Sequence, residues 1–273
     1  MSRVKAMMTI GVIATIVGAC GNADVSTTDA MQPAAATAID AALRCPHSGE
    51  PMATAKLYIE HNATDRDTGV HGLFGGEAWS ELCIWDPVGN LILVVDPLNQ
   101  FDDLKLADLF FESREPENSE VSLDELMAAF PAGVYLAAGT DFEGTPRAGK
   151  ALFTHDIPTP PTITAPQLAE DEELARGSVI AVGDLVITWD RVTDTLAGNP
   201  GAITGYEVIV TNVEHDDPNG WSQPTYDVHV GPDQTSFVVP GAFFEPATVY
   251  ELEVLALEVS GNQTISAGFF ATP

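Results

Sequence analysis

The stretch Phe244-Glu245-Pro246-Ala247-Thr248-Val249-Tyr250, close to the C-terminus, decides the fold of the second half of this chain. A strand that includes Val254 and Ala256 follows it, and Gly261-Asn262 then predicts a turn into a last strand over residues 264–272. Upstream of the stretch, apolar runs predict further strands over residues 185–189, 203–210 and 235–240. The C-terminal part is therefore expected to consist of several short strands separated by turns.

These runs resemble a fibronectin type III domain. Leu185-Val186-Ile187-Thr188-Trp189 is similar to the second strand with its core Trp, and Phe244-x-Pro246-x-Thr248-x-Tyr250 is similar to the family's L-x-P-x-T-x-Y stretch, with Phe in place of Leu. The resemblance implies an immunoglobulin-like sandwich of about 110 residues, in which the Tyr250 hydroxyl bonds back to the backbone. The acidic stretch 167–177 departs from the family pattern, and we expect a longer loop with a helical turn there.

The other end of the chain resembles the signal peptide of a bacterial lipoprotein. Arg3 and Lys5 precede an apolar run over 6–17, and Val17-Gly18-Ala19-Cys20 resembles a lipobox. The resemblance implies lipid on Cys20, the membrane as a partner and a place in the cell envelope. Since Gly21 and not Asp follows, it implies the outer membrane. The alternative is an uncleaved transmembrane anchor, although the run is shorter than the roughly 20 residues that a span requires.

Composition divides the chain into four parts. Residues 1–19 are the expected signal peptide, and the Ala-rich residues 20–44 are an expected flexible tether. Residues 45–157 are expected to form a β-rich domain, and 158–273 the fibronectin type III-like domain. Residues 157–161 are rich in Pro and predict a stiff joint between the two domains. The fold class is thus mainly β, with two β-sandwich-like domains.

The first domain is expected to contain one or two short helices. Ser122-Leu123-Asp124-Glu125 is a capping box that predicts a helix ending at Ala129. Residues 108–113 are ambiguous between helix and strand. Strands are predicted over residues 55–60, 81–86, 91–96, 134–142 and 148–155, with a turn over 87–90.

Charge and cysteine content limit the partners and the chemistry. The chain has 40 Asp and Glu against 11 Lys and Arg, a net charge of −29, which makes nucleic acid an unsuitable partner. If Cys20 carries lipid, Cys45 and Cys83 remain as a pair in an oxidising compartment, and a disulfide is expected between them. The alternative is two buried free thiols.

One loop has the residue types of a calcium site. Asn62, Asp65 and Asp67 place oxygen ligands at short intervals before Gly69, although no Glu closes an EF-hand pattern. The alternative is a turn rich in Asn and Asp side chains. His61 and His71 could flank a metal ion together with Asp65 or Asp67, but their spacing fits no zinc signature.

Two tryptophans are candidate binding residues. Trp79 and Trp221 lie near predicted loops, where their rings could stack on sugars or on aromatic side chains of a partner. The alternative is that both pack at the edges of a core.

No catalytic motif of the common hydrolase, metalloprotease or nucleotide-binding types occurs in the sequence. We therefore expect a non-catalytic binding or interaction module that contacts protein or carbohydrate. The alternative is an accessory or catalytic component of an envelope-bound system that acts on polysaccharide.

Overall fold

The computed structural model describes residues 45–177, 179–181, 183–216 and 223–273, and the fold is mainly β. The signal peptide, Cys20, the tether and Trp221 lie outside the described residues. Within them, no helix is both long enough and apolar enough to span a membrane.

The N-terminal half contains seven strands and two short helices among the described residues. The strands are β1 (Glu50–Pro51), β2 (Thr54–Asn62), β3 (Asp67–Trp85), β4 (Leu91–Val95), β5 (Leu106–Glu112), β6 (Gly133–Asp141) and β7 (Pro146–Phe153), and the helices are α1 (Gln100–Leu104) and α2 (Leu123–Ala129). The predicted strands, the turn over 87–90 and α2 are present, and the ambiguous segment 108–113 falls in β5 apart from its last residue.

Strand β3 is the central strand of this half, because its two parts pair with different strands. The first part pairs with β2 and β5, whereas the second part pairs with β4 and β6. The pairing with β5 shifts register between Gly75 and Trp79, and Gly76 there has a φ of 126° with Ala53 Cβ only 2.3 Å from where a Cβ would lie. Glycine is thus required for the bend. The two parts enclose one core that includes Leu57, Phe74 and Tyr135.

Helix α2 begins where its capping box predicted. The Glu125 backbone N–H donates to Ser122 Oγ at 3.3 Å, and the Ser122 backbone N–H donates to Glu125 Oε2 at 2.9 Å. Leu126 is buried and Leu123 is partly buried, and both side chains pack against the core of this half. The reciprocal bonds satisfy N–H groups that the first turn otherwise leaves unpaired.

The C-terminal half is a two-sheet sandwich. Its elements are β8 (Ile163–Ala165), α3 (Glu172–Ala175), β9 (Leu185–Trp189), β10 (Ile203–Asn212), β11 (Thr225–Val230), β12 (Ser236–Val239), a 3₁₀ turn (Gly241–Phe243), β13 (Val249–Glu258) and β14 (Gln263–Ala271). One sheet has the order β8-β9-β12 and the other β11-β10-β13-β14. This arrangement confirms the fibronectin type III-like fold. The helical turn expected within 167–177 is α3.

The core of the sandwich contains the aromatic residues that the sequence assigned to it. Tyr250 is fully buried, and its hydroxyl accepts a hydrogen bond from the Glu245 backbone N–H at 2.7 Å. Trp189 is 2% exposed and lies 5.4 Å from Tyr206 between ring centroids. The tyrosine corner and the core Trp are therefore in the predicted places.

The two halves share one sheet. Strands β2 and β14 pair in parallel through Glu60 and Gln263, His61 and Thr264, and Asn62 and Ile265. This pairing joins the larger sheet of the sandwich to the sheet of the N-terminal half, giving 11 strands. One edge strand of each half, β2 and β14, is thus paired with the other half, so its backbone groups are not left unpaired in solvent.

A buried asparagine fastens this junction. Asn262 is fully buried, its Oδ1 accepts from the Ile59 backbone N–H at 2.8 Å, and its Nδ2 donates to the Thr154 carbonyl oxygen at 3.1 Å. The Thr264 hydroxyl donates to the Pro158 carbonyl oxygen at 2.7 Å. The Pro-rich segment therefore runs along a hydrogen-bonded contact between the halves and does not hold them apart as a spacer.

Candidate functional site

The predicted cysteine pair is bonded in the structure. Cys45 Sγ and Cys83 Sγ are 2.03 Å apart, and both residues are buried beside Trp85 and Ala138. The bond ties the segment before β1 to the second part of β3. Its place in a core cluster indicates a structural role.

The predicted calcium loop is a hydrogen-bonded turn between β2 and β3. Asn62 Oδ1 accepts the backbone N–H groups of Thr64 and Asp65, each at 3.0 Å, and Asn62 Nδ2 points to Asp65 Oδ2 at 3.3 Å. Asp67 is buried, whereas Asp65 is exposed. Because the amide oxygen of Asn62 already accepts two backbone N–H groups, the segment has the geometry of the alternative, a turn rich in Asn and Asp side chains.

Trp79 is not a surface residue, and its prediction as a binding residue is wrong. Its side chain is 2% exposed in the core of the N-terminal half, and its Nε1 donates to the Ala107 carbonyl oxygen at 3.2 Å. The bend in β3 turns this ring inward, so neither face is open to a sugar. The other candidate, Trp221, lies outside the described residues.

The two histidines of the N-terminal half have separate environments. His61 Nδ1 lies 2.9 Å from Thr68 Oγ1, and burial lowers the pKa of His61. Among the described residues, the group around His71 that could hold a metal ion includes Glu60 and Glu115 rather than Asp65 or Asp67. His71 Nε2 lies 3.0 Å from Glu115 Oε1, and its Nδ1 lies 3.9 Å from Glu60 Oε2.

The charges around His71 favour its protonated form. Burial alone lowers the pKa of His71, but the hydrogen bond to Glu115 and the negative charges of Glu60, Glu115 and Glu112 outweigh burial and raise that pKa. Burial raises the pKa of Glu60, and the neighbouring His71 and Gln263 oppose part of that shift. The imidazole therefore lies between two carboxylates as their shared positive partner.

A row of outward side chains crosses the junction between the halves. Register places Asn62, Ile265, Leu255, Glu207 and His229 side by side on five adjacent strands. Residues in register point to the same side of a sheet. We call this surface the junction face; its acidic members on β2, β10 and β13 are Glu60, Glu207, Glu251 and Glu253.

The junction face is acidic and partly apolar. Ile209, Leu255 and Ile265 form a buried cluster there, separate from the sandwich core. Burial, followed by neighbouring negative charges, raises the pKa of Glu253 to about 8 and that of Glu251 to about 7. Burial also raises the pKa of Glu207 to about 7, although His229 opposes the shift. The carboxylates thus repel one another where water is scarce, and a cation or a proton relieves that repulsion.

A second surface feature is apolar. Helix α1 buries none of its residues, and Leu98, Phe101 and Leu104 are 69%, 60% and 78% exposed. The three side chains lie within seven consecutive positions of the connection between β4 and β5. Grouped apolar side chains on a surface mark contact sites more often than isolated ones do.

The loop after β10 has a structural role in its described part. Glu214 pairs with Arg176 and accepts the Val249 backbone N–H at 2.7 Å. The hydrogen bond from Arg176 is the main reason that the pKa of Glu214 is lowered. This carboxylate fixes α3 to the sandwich and is not placed for acid–base chemistry.

Sequence reasoning missed the residues that surround His71. Glu60 and Glu115 are separated by more than fifty positions. With 40 acidic residues in the chain, the sequence does not indicate which of them lie close together. For the junction face a local sequence signal exists on β13, where Glu251 and Glu253 alternate with buried Tyr250, Leu252 and Val254. That alternation could have placed both glutamates together on the face opposite the core.

Several solved structures are similar to this chain at low sequence identity. No protein-family description and no curated protein matches this chain. The third fibronectin III domain of the human KIAA0343 protein is 20% identical, with a TM-score of 0.32, covering 44% of this chain and 86% of that one. Two fibronectin type III segments from chicken are also similar.

The first of these is the FN1–FN3 segment of chicken CNTN1, which is 14% identical with a TM-score of 0.30 and covers 84% of this chain and 65% of that one. The second is the two-domain segment of chicken tenascin, which is 8% identical with a TM-score of 0.28 and covers 84% of this chain and 99% of that one. The class of this protein, mainly β with a fibronectin type III-like sandwich, rests on its own strand order.

Proposed function

We infer that this chain is a non-catalytic interaction module, exported and held at the cell envelope by lipid on Cys20. The fold supports the interaction role, because a fibronectin type III-like sandwich joined edge to edge with a second β unit forms a stiff platform. The sequence of residues 1–20 supports export and anchoring. With Trp79 buried, the proposed partner is a protein and not a carbohydrate.

The exposure of α1 carries this proposal. Phe101 and Leu104 project from a helix with no buried residue, and Asp102 and Asp103 lie between them. Two adjacent acids make this surface unfavourable for an anionic membrane, whereas an apolar pocket with a basic rim would suit it. The module would thus present α1 to a partner protein while its sheet keeps the platform rigid.

Photo-crosslinking in cells tests the contact. A photoreactive amino acid in place of Phe101 should give discrete protein adducts after irradiation. The matched control is the same substitution at Val238, which is 46% exposed in β12 of the other sheet and is expected to give none. An absence of adducts at 101, or the same adducts at both positions, would contradict the proposed surface.

Metabolic labelling tests the anchor separately. A palmitate analogue should label the wild-type chain and leave Cys20→Ala unlabelled. Equal labelling of both chains would overturn the anchoring proposal. The proposed contact at α1 would then depend on the crosslinking result alone.

A further inference from the structure

The group formed by Glu60, His71 and Glu115, which we call the His71 cluster, has the composition of a metal site. Its members come from β2, from β3 and from the segment after β5. One ligand atom from each residue lies within 4.8 Å of the others. Only 6% of the His71 side chain is exposed, against 17% for Glu60 and 23% for Glu115. The cluster is therefore partly shielded from water yet reachable from the surface.

Negative charge dominates the surroundings of this cluster. Glu112 lies opposite His71 in register, on the neighbouring strand β5. In the part of the chain that the structure describes, the ion pairs of Lys and Arg are made with other acids, and His71 is the basic partner of Glu60 and Glu115. A divalent ion would supply more positive charge than one imidazolium at the point where the carboxylates converge.

We propose that Glu60, His71 and Glu115 bind one divalent transition-metal ion, with Zn²⁺ as the ion that this set suits best. One imidazole nitrogen with two carboxylate oxygens is a donor set that Zn²⁺ accepts, and water can complete the tetrahedron. The imidazole nitrogen disfavours Ca²⁺ and Mg²⁺, which take oxygen ligands.

The geometry needs only side-chain adjustment to close on an ion. Ligand atoms around tetrahedral Zn²⁺ lie about 3.4 Å apart, given metal–ligand bonds of about 2.1 Å. Glu115 Oε1 is 3.0 Å from His71 Nε2, so this pair opens slightly to admit the ion between them. Glu60 Oε2 is 3.9 Å from Nδ1 and has to move towards the Nε2 side of the ring. A glutamate with three rotatable bonds can make this movement without a change in the backbone.

A residue of the C-terminal half supports one of the ligands. Gln263 Nε2 donates a hydrogen bond to Glu60 Oε2, the carboxylate oxygen nearest to His71. Gln263 is also the residue that pairs with Glu60 across the junction of β14 and β2. If the Gln263 amide follows the carboxylate as Glu60 turns towards Nε2, it orients the ligand around the ion. Groups that orient a ligand raise metal affinity, so ion binding would couple to the contact between the halves.

A second group on the same sheet offers a matched control. Glu207, Asp227 and His229 also lie close enough to share an ion, with His229 Nε2 3.3 Å from Glu207 Oε1. The His229 side chain is 66% exposed, against 6% for His71, so water competes for the imidazole there. We therefore expect the ion at the His71 cluster and not at this exposed group.

Calorimetric titration of the purified full chain with ZnCl₂, after treatment with a chelator, tests the proposal. The wild type should bind one Zn²⁺ per chain, and its melting temperature should rise with Zn²⁺ and not with Ca²⁺ or Mg²⁺. His71→Gln and Glu115→Gln should each weaken binding more than tenfold. His229→Gln should bind like the wild type, and Gln263→Leu should bind about 10- to 100-fold more weakly.

Circular dichroism of each variant shows whether it has folded. If His71→Gln fails to fold, Glu115→Gln decides the question, because Glu115 lies outside the strands and is partly exposed. No Zn²⁺ binding by the wild type, equal affinity in folded Glu115→Gln, or loss of binding in His229→Gln instead would each overturn the proposal. A weak uptake of several ions that no single substitution alters would indicate adventitious binding to an acidic surface and would also overturn it.

Discussion

The two halves of this molecule each have a stable β core, but different structural features stabilise the two cores. The C-terminal half packs two sheets around Trp189, Tyr206 and Tyr250, which lie on three different strands. The N-terminal half depends on one strand of 19 residues, which bends at glycines, and on a disulfide. The difference shows that local alternation predicts most strands of both halves, whereas the bend in β3 that shapes the N-terminal core has no such signal.

The largest expected effect concerns the core of the C-terminal half. Trp189→Ala should lower the free energy of unfolding by about 3–5 kcal/mol, because it removes a large buried ring and leaves a cavity. Urea denaturation followed by circular dichroism measures this change. Val238→Ala, at an exposed position of the same sandwich, is the control and should change little. A cost near zero for Trp189→Ala would mean that this half does not rely on the core that its alternation predicts.

In the N-terminal half, the disulfide between Cys45 and Cys83 is expected to contribute strongly to stability. Replacing Cys45 and Cys83 together by Ala should cost about 3–4 kcal/mol, since the bridge closes a loop with a separation of 38 residues in the unfolded chain. Chemical denaturation with and without a reducing agent measures the cost. The double variant is its own control, because the reductant should no longer affect it. If reduction leaves the wild type unchanged, the bent strand is stable without the bridge.

The junction between the halves decides whether they unfold together. Asn262→Ala removes the acceptor of the Ile59 N–H and a donor to the Thr154 carbonyl, so a cost of about 1–3 kcal/mol is expected. Calorimetry should show one transition for the wild type and a separation into two for the variant. Asn90→Ala, which removes the exposed hydrogen bond from Asn90 Nδ2 to Asp86 Oδ2 in a turn, is the matched control. Two transitions already in the wild type would show that the shared sheet does not couple the halves.

The two buried tryptophans sharpen the comparison further. Trp79 Nε1 donates to the Ala107 carbonyl, whereas Trp189 Nε1 has no hydrogen-bond partner among the described residues. Trp79→Phe should therefore cost about 1 kcal/mol more than Trp189→Phe, since only the former leaves a polar group without its bond. Denaturation midpoints of the two variants provide the measurement. The reverse order would show that ring volume matters more than the hydrogen bond.

The smallest expected effect is a dependence on pH at the junction face. The pKa of Glu253 is raised to about 8 by burial, then by the charges of Glu251, Glu60, Glu207 and Asp65. The folded chain therefore holds a proton that the unfolded chain has released, and stability should fall as pH rises from about 5 through about 8. Glu253→Gln should flatten this slope and add about 1 kcal/mol at pH 8, measured at constant ionic strength.

Exposed Asp65 and Glu245 provide contrasting positions for this measurement. Asp65→Asn removes one of the charges that act on Glu253, so it should flatten the slope less than Glu253→Gln does. Glu245→Gln should leave the slope unchanged, since Glu245 is not among the charges that raise the pKa of Glu253. A slope that Glu253→Gln does not alter would place the responsible proton on another group.

Sequence patterns predicted much of the fold but little of the candidate site. Most strands of the sandwich, the tyrosine corner, the capped helix α2 and the cysteine pair follow from signals within short windows, whereas β8 and β11 were not predicted. The stretch from Val70 to Ser80 was not predicted as a strand, because it has three glycines and no regular alternation of apolar and polar residues. The same bend moved Trp79 from an expected surface position into the core.

The sequence by itself determined the elements whose signals are local: turns, caps, alternating strands and a pair of cysteines. Only the tertiary structure decided which strand edges meet and which acids surround His71. The hydrogen bond from the Ile59 N–H to Asn262 joins residues 203 positions apart, and the His71 cluster joins two strands and a loop. The physical reason is that alternation defines which face of a strand is buried, whereas the pairing of two edges depends on the shape of both assembled halves.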